Sequence, residues 1–312
     1  MPEPASISPA APAQPVKGRV FLASGESGLR AFSRDGITWT HMQTAREGTL
    51  LDRACFAGGR CVAAGKLGGE RTAFVTADGL TWTQTKLDGR PYVTRIEVLY
   101  AEQNQFHLVV NEDGEKPGVL RSTDGIKWEP RKPVLDNPKV LRHDAHLRRG
   151  VLGADGQLVV IGDYGARLSR KSVGDQWQAV PNAAARDTLI DLAFGNGVFV
   201  GGGLHGLRMR SRDGLDWTDR VLGEEGEHIN AMIWDGRQFV GVGQGGTYLS
   251  PDGKTWRRAP NESAPTAATF AEGIFIGTLW PGKLLRSTDG IRWKQVHQFP
   301  HHILALAHGQ LG

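Results

Sequence analysis

Short apolar runs bounded by glycine recur through most of the chain. The clearest example begins with an apolar run at residues 189–194, followed by Asn196-Gly197 and a second run at 198–203. A third run covers residues 207–211, and Trp217-Thr218 begins a fourth. Asn-Gly between two apolar runs is a strong hairpin signal, and runs of this length predict strands. We therefore predict a four-stranded antiparallel unit in this region.

The second run of this unit has counterparts elsewhere. Each is a short aliphatic stretch that ends in glycine, and we identify them at residues 60–65, 157–162, 238–243 and 274–277. Continuous apolar strands are typical of sheets that are covered on both faces. The pattern therefore predicts repeated sheets that pack against one another.

A short motif of the form Ser/Thr-x-Asp-Gly-x-x-Trp separates the predicted third and fourth strands. Complete copies lie at residues 33–39, 76–82, 122–128, 211–217, 250–256 and 287–293, and a shortened copy lies at 172–177. The tryptophans of successive copies are 43, 46, 49, 40, 39 and 37 residues apart. A short Asp side chain accepts hydrogen bonds from nearby N–H groups and Gly permits positive φ, so each copy predicts a hairpin turn. A period near 40 residues is typical of propeller blades.

These motifs resemble the Asp-box, or BNR-repeat, family over nearly all of residues 18–312. The resemblance implies an all-β fold, a seven-bladed β-propeller of four-stranded antiparallel blades. It also implies that the boxes are structural turns on the face away from the ligand site. The resemblance implies a structural role for the aspartates of the six complete boxes, which are Asp35, Asp78, Asp124, Asp213, Asp252 and Asp289. Sialidases share the boxes but have six blades, so this chain does not fit that group.

The two ends of the chain complement each other. Residues 18–42 contain a second, third and fourth strand without an inner strand, and residues 303–307 supply an inner strand before His308-Gly309. We expect the last strand to pair with the first blade and so close the ring, which removes an open sheet edge. Residues 1–17 contain five prolines and predict a Pro/Ala-rich linker or tail, and residues 18–312 form the propeller.

The composition limits the possible functions. The net charge is +4 and the basic residues are spread along the chain, so we expect no nucleic acid partner. No apolar run approaches the length of a membrane span. Residues 1–17 have no apolar core of a signal peptide. We expect a monomer that is secreted or periplasmic, with its signal peptide absent from this sequence.

Two cysteines, Cys55 and Cys61, flank a predicted hairpin turn. In a five-residue turn they lie opposite each other and can form a disulfide. In a two-residue turn at Gly58-Gly59 they fall on opposite faces of the sheet and cannot. The sequence leaves both alternatives open.

Histidines collect at the starts of inner strands and in one loop between a second and a third strand. We predict that they surround one mouth of the central channel, opposite the boxes, and they are His143, His146, His205, His228, His301 and His302. Such a cluster can hold a transition metal. Alternatively, each histidine caps its own loop. We expect no other cofactor.

Arg95, Tyr164, Arg167 and Trp280 complete the candidate ligand-binding residues. Tyr, His and Arg together are suited to uronate lyase chemistry, because Arg neutralises a carboxylate while Tyr or His moves a proton. Trp280 lies in a Leu-Trp-Pro-Gly loop, where it can stack on a sugar or anchor the loop. No catalytic residue is identified by a motif.

The sequence favours a binding function over the alternatives. We predict a ligand-binding propeller that takes a glycan or protein ligand at the channel mouth. One alternative is a polysaccharide lyase or other glycan-active enzyme. The other is a scaffold or assembly factor for a membrane complex, because stand-alone propellers with related repeats serve in that way.

Overall fold

The fold is taken from a computed structural model. It describes residues 14–87, 93–112, 116–130, 135, 141–142, 144–181, 183–224, 226–261 and 263–312. The described strands form seven four-stranded antiparallel sheets, each made from strands that are consecutive in the chain except at the closure. The predicted seven-bladed β-propeller is confirmed.

The strands follow the chain order blade by blade. Blade one contains β1 (Gly18–Gly25), β2 (Arg30–Ser33) and β3 (Thr40–Gln43). Blade two contains β4 (Thr49–Ala57), β5 (Arg60–Leu67), β6 (Glu70–Thr76) and β7 (Thr83–Lys86). Blade three contains β8 (Val93–Glu102), β9 (Gln105–Glu112), β10 (Lys116–Ser122) and β11 (Glu129–Pro130). Blade four contains β12 (Leu147–Leu152), β13 (Leu158–Gly162), β14 (Arg167–Arg170) and β15 (Gln178–Ala179).

The second half of the chain continues the same order. Blade five contains β16 (Leu189–Gly195), β17 (Val198–Gly203), β18 (Arg208–Ser211) and β19 (Trp217–Val221). Blade six contains β20 (His228–Trp234), β21 (Phe239–Gln244), β22 (Gly246–Ser250) and β23 (Arg257–Ala259). Blade seven contains β24 (Ala267–Ala271), β25 (Ile274–Leu279), β26 (Lys283–Ser287) and β27 (Lys294–Gln298). The last strand, β28 (Ile303–Leu311), returns to blade one, and short 3-10 turns lie at Ala154–Gly156 and Asp163–Gly165.

The ring closes through β28. It pairs with β1 from Gly18 opposite Leu311 to Gly25 opposite Ile303, and it packs between the first strands β24 and β4. The predicted closure is confirmed. The strand continues past His308-Gly309 to Leu311, and a Cβ on Gly309 would lie 2.3 Å from the Cβ of Phe56 in blade two. The N–H of Gly312 then donates to the carbonyl of Gly59 at 3.1 Å, beside Lys17.

The hydrophobic core is divided among the blade interfaces. Seven buried clusters occur, one between each pair of neighbouring blades. Second strands contribute to the clusters on both sides, and all six residues of β17 are buried. This double burial explains why the second-strand runs are continuously apolar rather than alternating.

The six complete Asp-Gly turns share one hydrogen-bonding pattern. In the turn of blade five, the Gly214 N–H donates to Ser211 Oγ at 2.8 Å. Asp213 Oδ1 accepts the N–H groups of Leu215 and Asp216 at 2.9 and 2.8 Å. The other five complete turns repeat these contacts within 0.1 Å. The predicted structural role of these aspartates is thereby explained.

The glycine of each complete turn also packs on the preceding blade. A Cβ on Gly214 would lie 2.4 Å from Val159 Cγ2 in blade four, and the other five turn glycines would meet an aliphatic side chain at 2.2 to 2.7 Å. Each of these glycines also has a positive φ near 70°. Glycine is therefore required for both backbone conformation and space.

The cysteines occupy different blade interfaces. The hairpin turns at Gly58-Gly59, so Phe56 lies opposite Cys61 and Cys55 lies opposite Val62. Cys55 belongs to the cluster between blades two and three, and Cys61 to the cluster between blades one and two. Both are free thiols, and burial raises the pKa of Cys55 to about 12. Of the two alternatives, the two-residue turn is the one formed, so the pair gives no argument for an oxidising compartment.

Asp213→Ala is expected to lower the free energy of unfolding by about 1–3 kcal/mol, because two backbone N–H groups lose their acceptor. The matched control is Asp175→Ala in the shortened copy of blade four. Asp175 accepts an N–H from Ser172, and Gly174 beside it has open space around it. Urea denaturation should show the larger loss for Asp213→Ala, and equal losses would contradict a special role for the complete turns.

Deletion of residues 303–312 is expected to abolish cooperative unfolding. The deletion removes the inner strand of blade one and exposes the edges of β1 and of the neighbouring first strands. Thermal unfolding monitored by circular dichroism is the measurement. A truncated chain that melts at the temperature of the full chain would show that the closure is dispensable.

Candidate functional site

The two faces of the disc are built from different connections. Because the strands of each blade are antiparallel, the first hairpin and the Asp-Gly turn of a blade lie at one edge, here named the turn face. The loops between second and third strands and the connections between blades lie at the other edge, here named the mouth face. The mouth face carries residues 26–29, 163–166, 204–207 and 280–282 and the starts of the first strands.

A central channel of about 270 Å³ runs between the first strands. One side of it is polar, with the charged residues Asp52, Arg53, Arg148, Arg149 and Asp191. Apolar residues of the lining include Leu304 and Leu306 of β28 and Ala267 and Ala268 of β24, and also Leu99 and Ile190 on the strands near the charged residues. The channel lining therefore combines charged and apolar groups.

The charged side of the channel is paired internally. Arg149 Nε lies 3.2 Å from Asp191 Oδ1, and Asp191 Oδ2 accepts the N–H of Met232 at 2.8 Å. Burial raises the pKa of Asp191, although Arg149 opposes this effect. Arg148 pairs with Asp163 at the edge of the mouth face. With three arginines against two aspartates in its lining, the channel is net positive.

Arg95 and His146 meet at the interface of blades three and four. Arg95 Nη1 lies 3.0 Å from His146 Nε2, and Arg95 Nε donates to Glu97 Oε1 at 2.8 Å. Glu97 is buried, and its other oxygen accepts the N–H of Leu147 at 3.0 Å. Burial raises the pKa of Glu97, and the nearby Arg95, His146 and Arg53 oppose this rise.

The other predicted histidines form two further groups. The backbone N–H of His205 donates to His228 Nδ1 at 3.3 Å, and the centroids of the two rings lie 6.0 Å apart between blades five and six. At the closure, the Gly282 N–H lies 3.5 Å from His302 Nδ1. The backbone N–H of His302 donates to Glu26 Oε2 at 3.4 Å. His301 is half-buried next to His302. The described histidines are thus distributed around the rim.

Tyr164 and Arg167 have separate partners. The Tyr164 side chain is 41% exposed, and the Arg142 guanidinium lies 4.5 Å from its ring centroid. Arg167 is buried, contacts Asp187 at 3.7 Å and lies 5.4 Å from the Trp217 ring. Arg167 therefore belongs to the packing between blades four and five.

Arg167 is one of three buried arginines in equivalent places. Arg30 lies over Phe74 and Trp82 of the next blade, and Arg208 lies over Tyr248 and Trp256. Burial lowers the pKa of Arg30 to about 10 and lowers those of Arg167 and Arg208. Cation–π contact compensates part of the desolvation. The sequence carried a signal for two of them, because Arg30 and Arg208 each lie three residues before the Ser that starts a turn motif.

No three His, Cys, Asp or Glu side chains lie close enough to hold a metal ion within the described part of the chain. His143 lies outside the described residues. The metal at the histidine cluster therefore stays a prediction. The described residues also contain no helix long and apolar enough to span a bilayer.

Sequence reasoning missed Glu97 and the channel arginines. Glu97 lies two residues after Arg95 on β8, so both side chains fall on the same face of that strand. Arg148 and Arg149 lie on β12 next to His146. The pattern could have indicated Glu97, but only the assembled ring shows that Arg53, Arg148 and Arg149 share one channel.

Comparison with known proteins supports the fold. No protein-family model matches the sequence, and no curated protein matches it. The structure of YCF48 bound to D1 peptide has a TM-score of 0.59 at 14% identity, covering 88% of this chain and 90% of that chain. YCF48 from Cyanidioschyzon merolae has a TM-score of 0.59 at 16% identity, covering 86% and 89%. Saccharomyces cerevisiae Sqt1 has a TM-score of 0.61 at 14% identity, covering 94% and 86%. At these identities the likeness shows the propeller fold alone.

Arg95→Ala is expected to lower the free energy of unfolding at pH 7 by about 1–3 kcal/mol, because it leaves the buried Glu97 carboxylate without its cation. The pKa of Glu97, already above the ordinary 4.5, would rise further. A carboxyl with a raised pKa binds its proton more readily in the folded state. The loss should therefore shrink as the pH falls towards 4.5.

The control for this variant is Arg95→Ala combined with Glu97→Gln. It removes the charge together with its partner, so its stability loss should be smaller and nearly independent of pH. Urea denaturation at several pH values measures both. A loss for Arg95→Ala that is the same at every pH would contradict the pairing.

Proposed function

We propose that this protein binds a segment of a partner protein across the mouth face, with one part of the segment entering the central channel. The observation that carries the proposal is the mixed lining of the channel, in which three arginines lie among apolar residues. A peptide offers charged, polar and apolar groups in close succession along one chain. Ligand sites of this kind combine an apolar surface with a few placed polar groups.

An exposed aromatic residue at the rim supports the same proposal. Trp280 is 69% exposed although it lies in a tightly held loop. The Gln298 side chain donates to the Pro281 carbonyl at 2.6 Å, and the Phe299 N–H donates to the Gly282 carbonyl at 2.9 Å. A rigidly held and exposed Trp can bury a large area at little entropic cost, which is typical of binding hot spots.

The comparisons agree with a peptide ligand without establishing it for this chain. One structure of similar fold is that of YCF48 with D1 peptide bound. The six complete turns, with their common hydrogen bonds, also support membership of the Asp-box family, which remains part of the proposal. A secreted or periplasmic location, the monomeric state and a role in the assembly of a membrane complex stay predictions.

Carbohydrate binding is the second candidate, and Trp280 is the observation that favours it, because an exposed indole can stack on a sugar ring. The lyase hypothesis needs an Arg beside a Tyr or a His. Arg167 contacts Asp187 and Trp217 inside a blade interface, whereas Arg95 lies 3.0 Å from His146 but is also paired with the buried Glu97. Lyase activity stays a prediction.

Selection of a displayed random-peptide library on the intact protein tests the proposal. We expect the selection to yield peptides whose affinity can be measured by calorimetry. Trp280→Ala should weaken their binding about tenfold or more, as for hot-spot residues. Arg149→Gln should weaken it as well. The matched control is Ile126→Ala, an exposed apolar residue on the turn face, which should not change the affinity.

Each other outcome has a defined meaning. Binding that depends on Ile126 and not on Trp280 would show that the wrong face was chosen. The absence of selected peptides, together with glycan-array binding that Trp280→Ala removes, would replace the peptide ligand with a carbohydrate.

A further inference from the structure

Blade four departs from the repeat at the start of its turn. In the other six blades the second strand pairs with a Ser or Thr that begins the turn, for example Phe199 with Ser211. In blade four the equivalent pair is Leu158 with Arg170. A hydroxyl that caps the turn elsewhere is therefore replaced here by a guanidinium group.

Blade three has changed at the positions that face this arginine. Glu102 lies where Ala57, Gly153, Gly195, Ala271 and Gly309 stand in five other blades. His107 lies where the other six blades have the aliphatic residues Leu22, Val62, Val159, Val200, Val240 and Ile276. Three polar or charged residues thus replace small or aliphatic ones at a single interface.

Glu102 and Arg170 form a buried ion pair across this interface. Their side chains are 5% and 4% exposed, and Arg170 Nη2 donates to Glu102 Oε2. Arg170 Nη1 donates to the Gly156 carbonyl at 3.2 Å. Glu102 Oε1 is buried and has no hydrogen-bond partner among the described residues. An unpaired buried carboxylate oxygen is costly and calls for a donor.

A recess lies beside this pair. Gly174 has no atom near the place of a Cβ, whereas the glycine of every complete turn packs tightly on the preceding blade. A recess of about 620 Å³ lies on the turn face, lined by Glu102, Asp155 and Asn104 among its polar residues and by Phe56, Leu152 and Val173 among its apolar ones. The turn of blade four therefore lacks the glycine contact with the preceding blade that the complete turns make.

We propose that this recess binds a lysine or arginine side chain of a protein segment. Its charged groups are the Glu102 carboxylate, the Asp155 carboxylate and the Arg170 guanidinium, which leaves a net charge of −1 in a chain whose total is +4. The cation would donate to Glu102 Oε1 and attract Asp155. Its aliphatic stem would lie along Phe56, Leu152 and Val173, as long basic side chains cover apolar surface elsewhere.

Other ligand classes fit the recess less well. An anion would have to compete with Glu102 for Arg170, whose Nη groups already bond to Glu102 and Gly156. For a metal ion, no group of three His, Cys, Asp or Glu side chains that could hold one occurs among the described residues. The proposal is independent of the mouth face, because the recess lies on the opposite side of the disc and uses none of the same residues.

The test adds capped pentapeptides with a central lysine, arginine or norleucine to the full chain. Binding is measured from changes in the amide chemical shifts of the protein in NMR spectra. We expect the basic peptides to shift the signals of Gln103, Asn104, Gly153 and Gly156. The norleucine peptide should bind about tenfold or more weakly, since it loses a charge-assisted hydrogen bond. Asp155→Asn should weaken binding of the basic peptides only.

A second variant restores the repeat by combining Glu102→Ala with Arg170→Ser. It removes both charges together, so no buried charge remains unpaired, and it should abolish the shifts while peptide binding at the mouth face is unchanged. If this variant does not fold, Val173→Trp fills the recess from its rim and should have the same effect.

Three results would overturn the proposal. Equal affinity for lysine and norleucine peptides would show that the recess is only apolar. Shifts that survive both variants would place the binding elsewhere. Self-association in sedimentation experiments that the restored repeat removes would identify a second copy of this chain as the occupant.

Discussion

The fold depends on a close contact between each complete Asp-Gly turn and the blade before it. A glycine with positive φ brings the turn backbone onto an aliphatic side chain of the preceding blade, where a Cβ would lie 2.2 to 2.7 Å away. The same turn is held by its own Ser or Thr hydroxyl and Asp carboxylate. Local hydrogen bonding and packing between blades therefore act at the same residues. Since the ring is closed, the spacing of one interface also constrains the others.

Much of this architecture could be predicted because the signals are local. The Asn196-Gly197 turn, the apolar run of β17 and the turn before Trp217 lie where the sequence indicated. The closing strand was also predictable, since the first blade visibly lacks one. The length of β28 was not, because its pairing with β1 as far as Leu311 joins residues far apart in the sequence and has no local signal.

The candidate site was less predictable for a physical reason. Sequence indicates on which face a side chain lies, but not which neighbour it meets across a blade interface. His146 was assigned to the rim, yet its contact with Arg95 and the buried Glu97 depends on the radial position of two strands about 50 residues apart. Arg167 was assigned to the same rim and lies inside an interface, because its stem follows β14 towards Trp217. His146 and Arg167 therefore differ in the direction of their side chains, which their positions in the sequence do not reveal.

The meeting of Lys17 and Gly312 on the turn face has a topological consequence. Gly312 hydrogen-bonds to the Gly59 carbonyl and lies beside Lys17, so the backbone nearly completes a circle on the turn face. A short linker could join residues 17 and 312, and new ends could be opened in another hairpin to make a circular permutant. In such a permutant the closing strand would become an ordinary internal strand, and blade one would fold from contiguous sequence. Comparing its unfolding rate with that of the parent would separate the kinetic effect of the shared blade from the strength of its contacts.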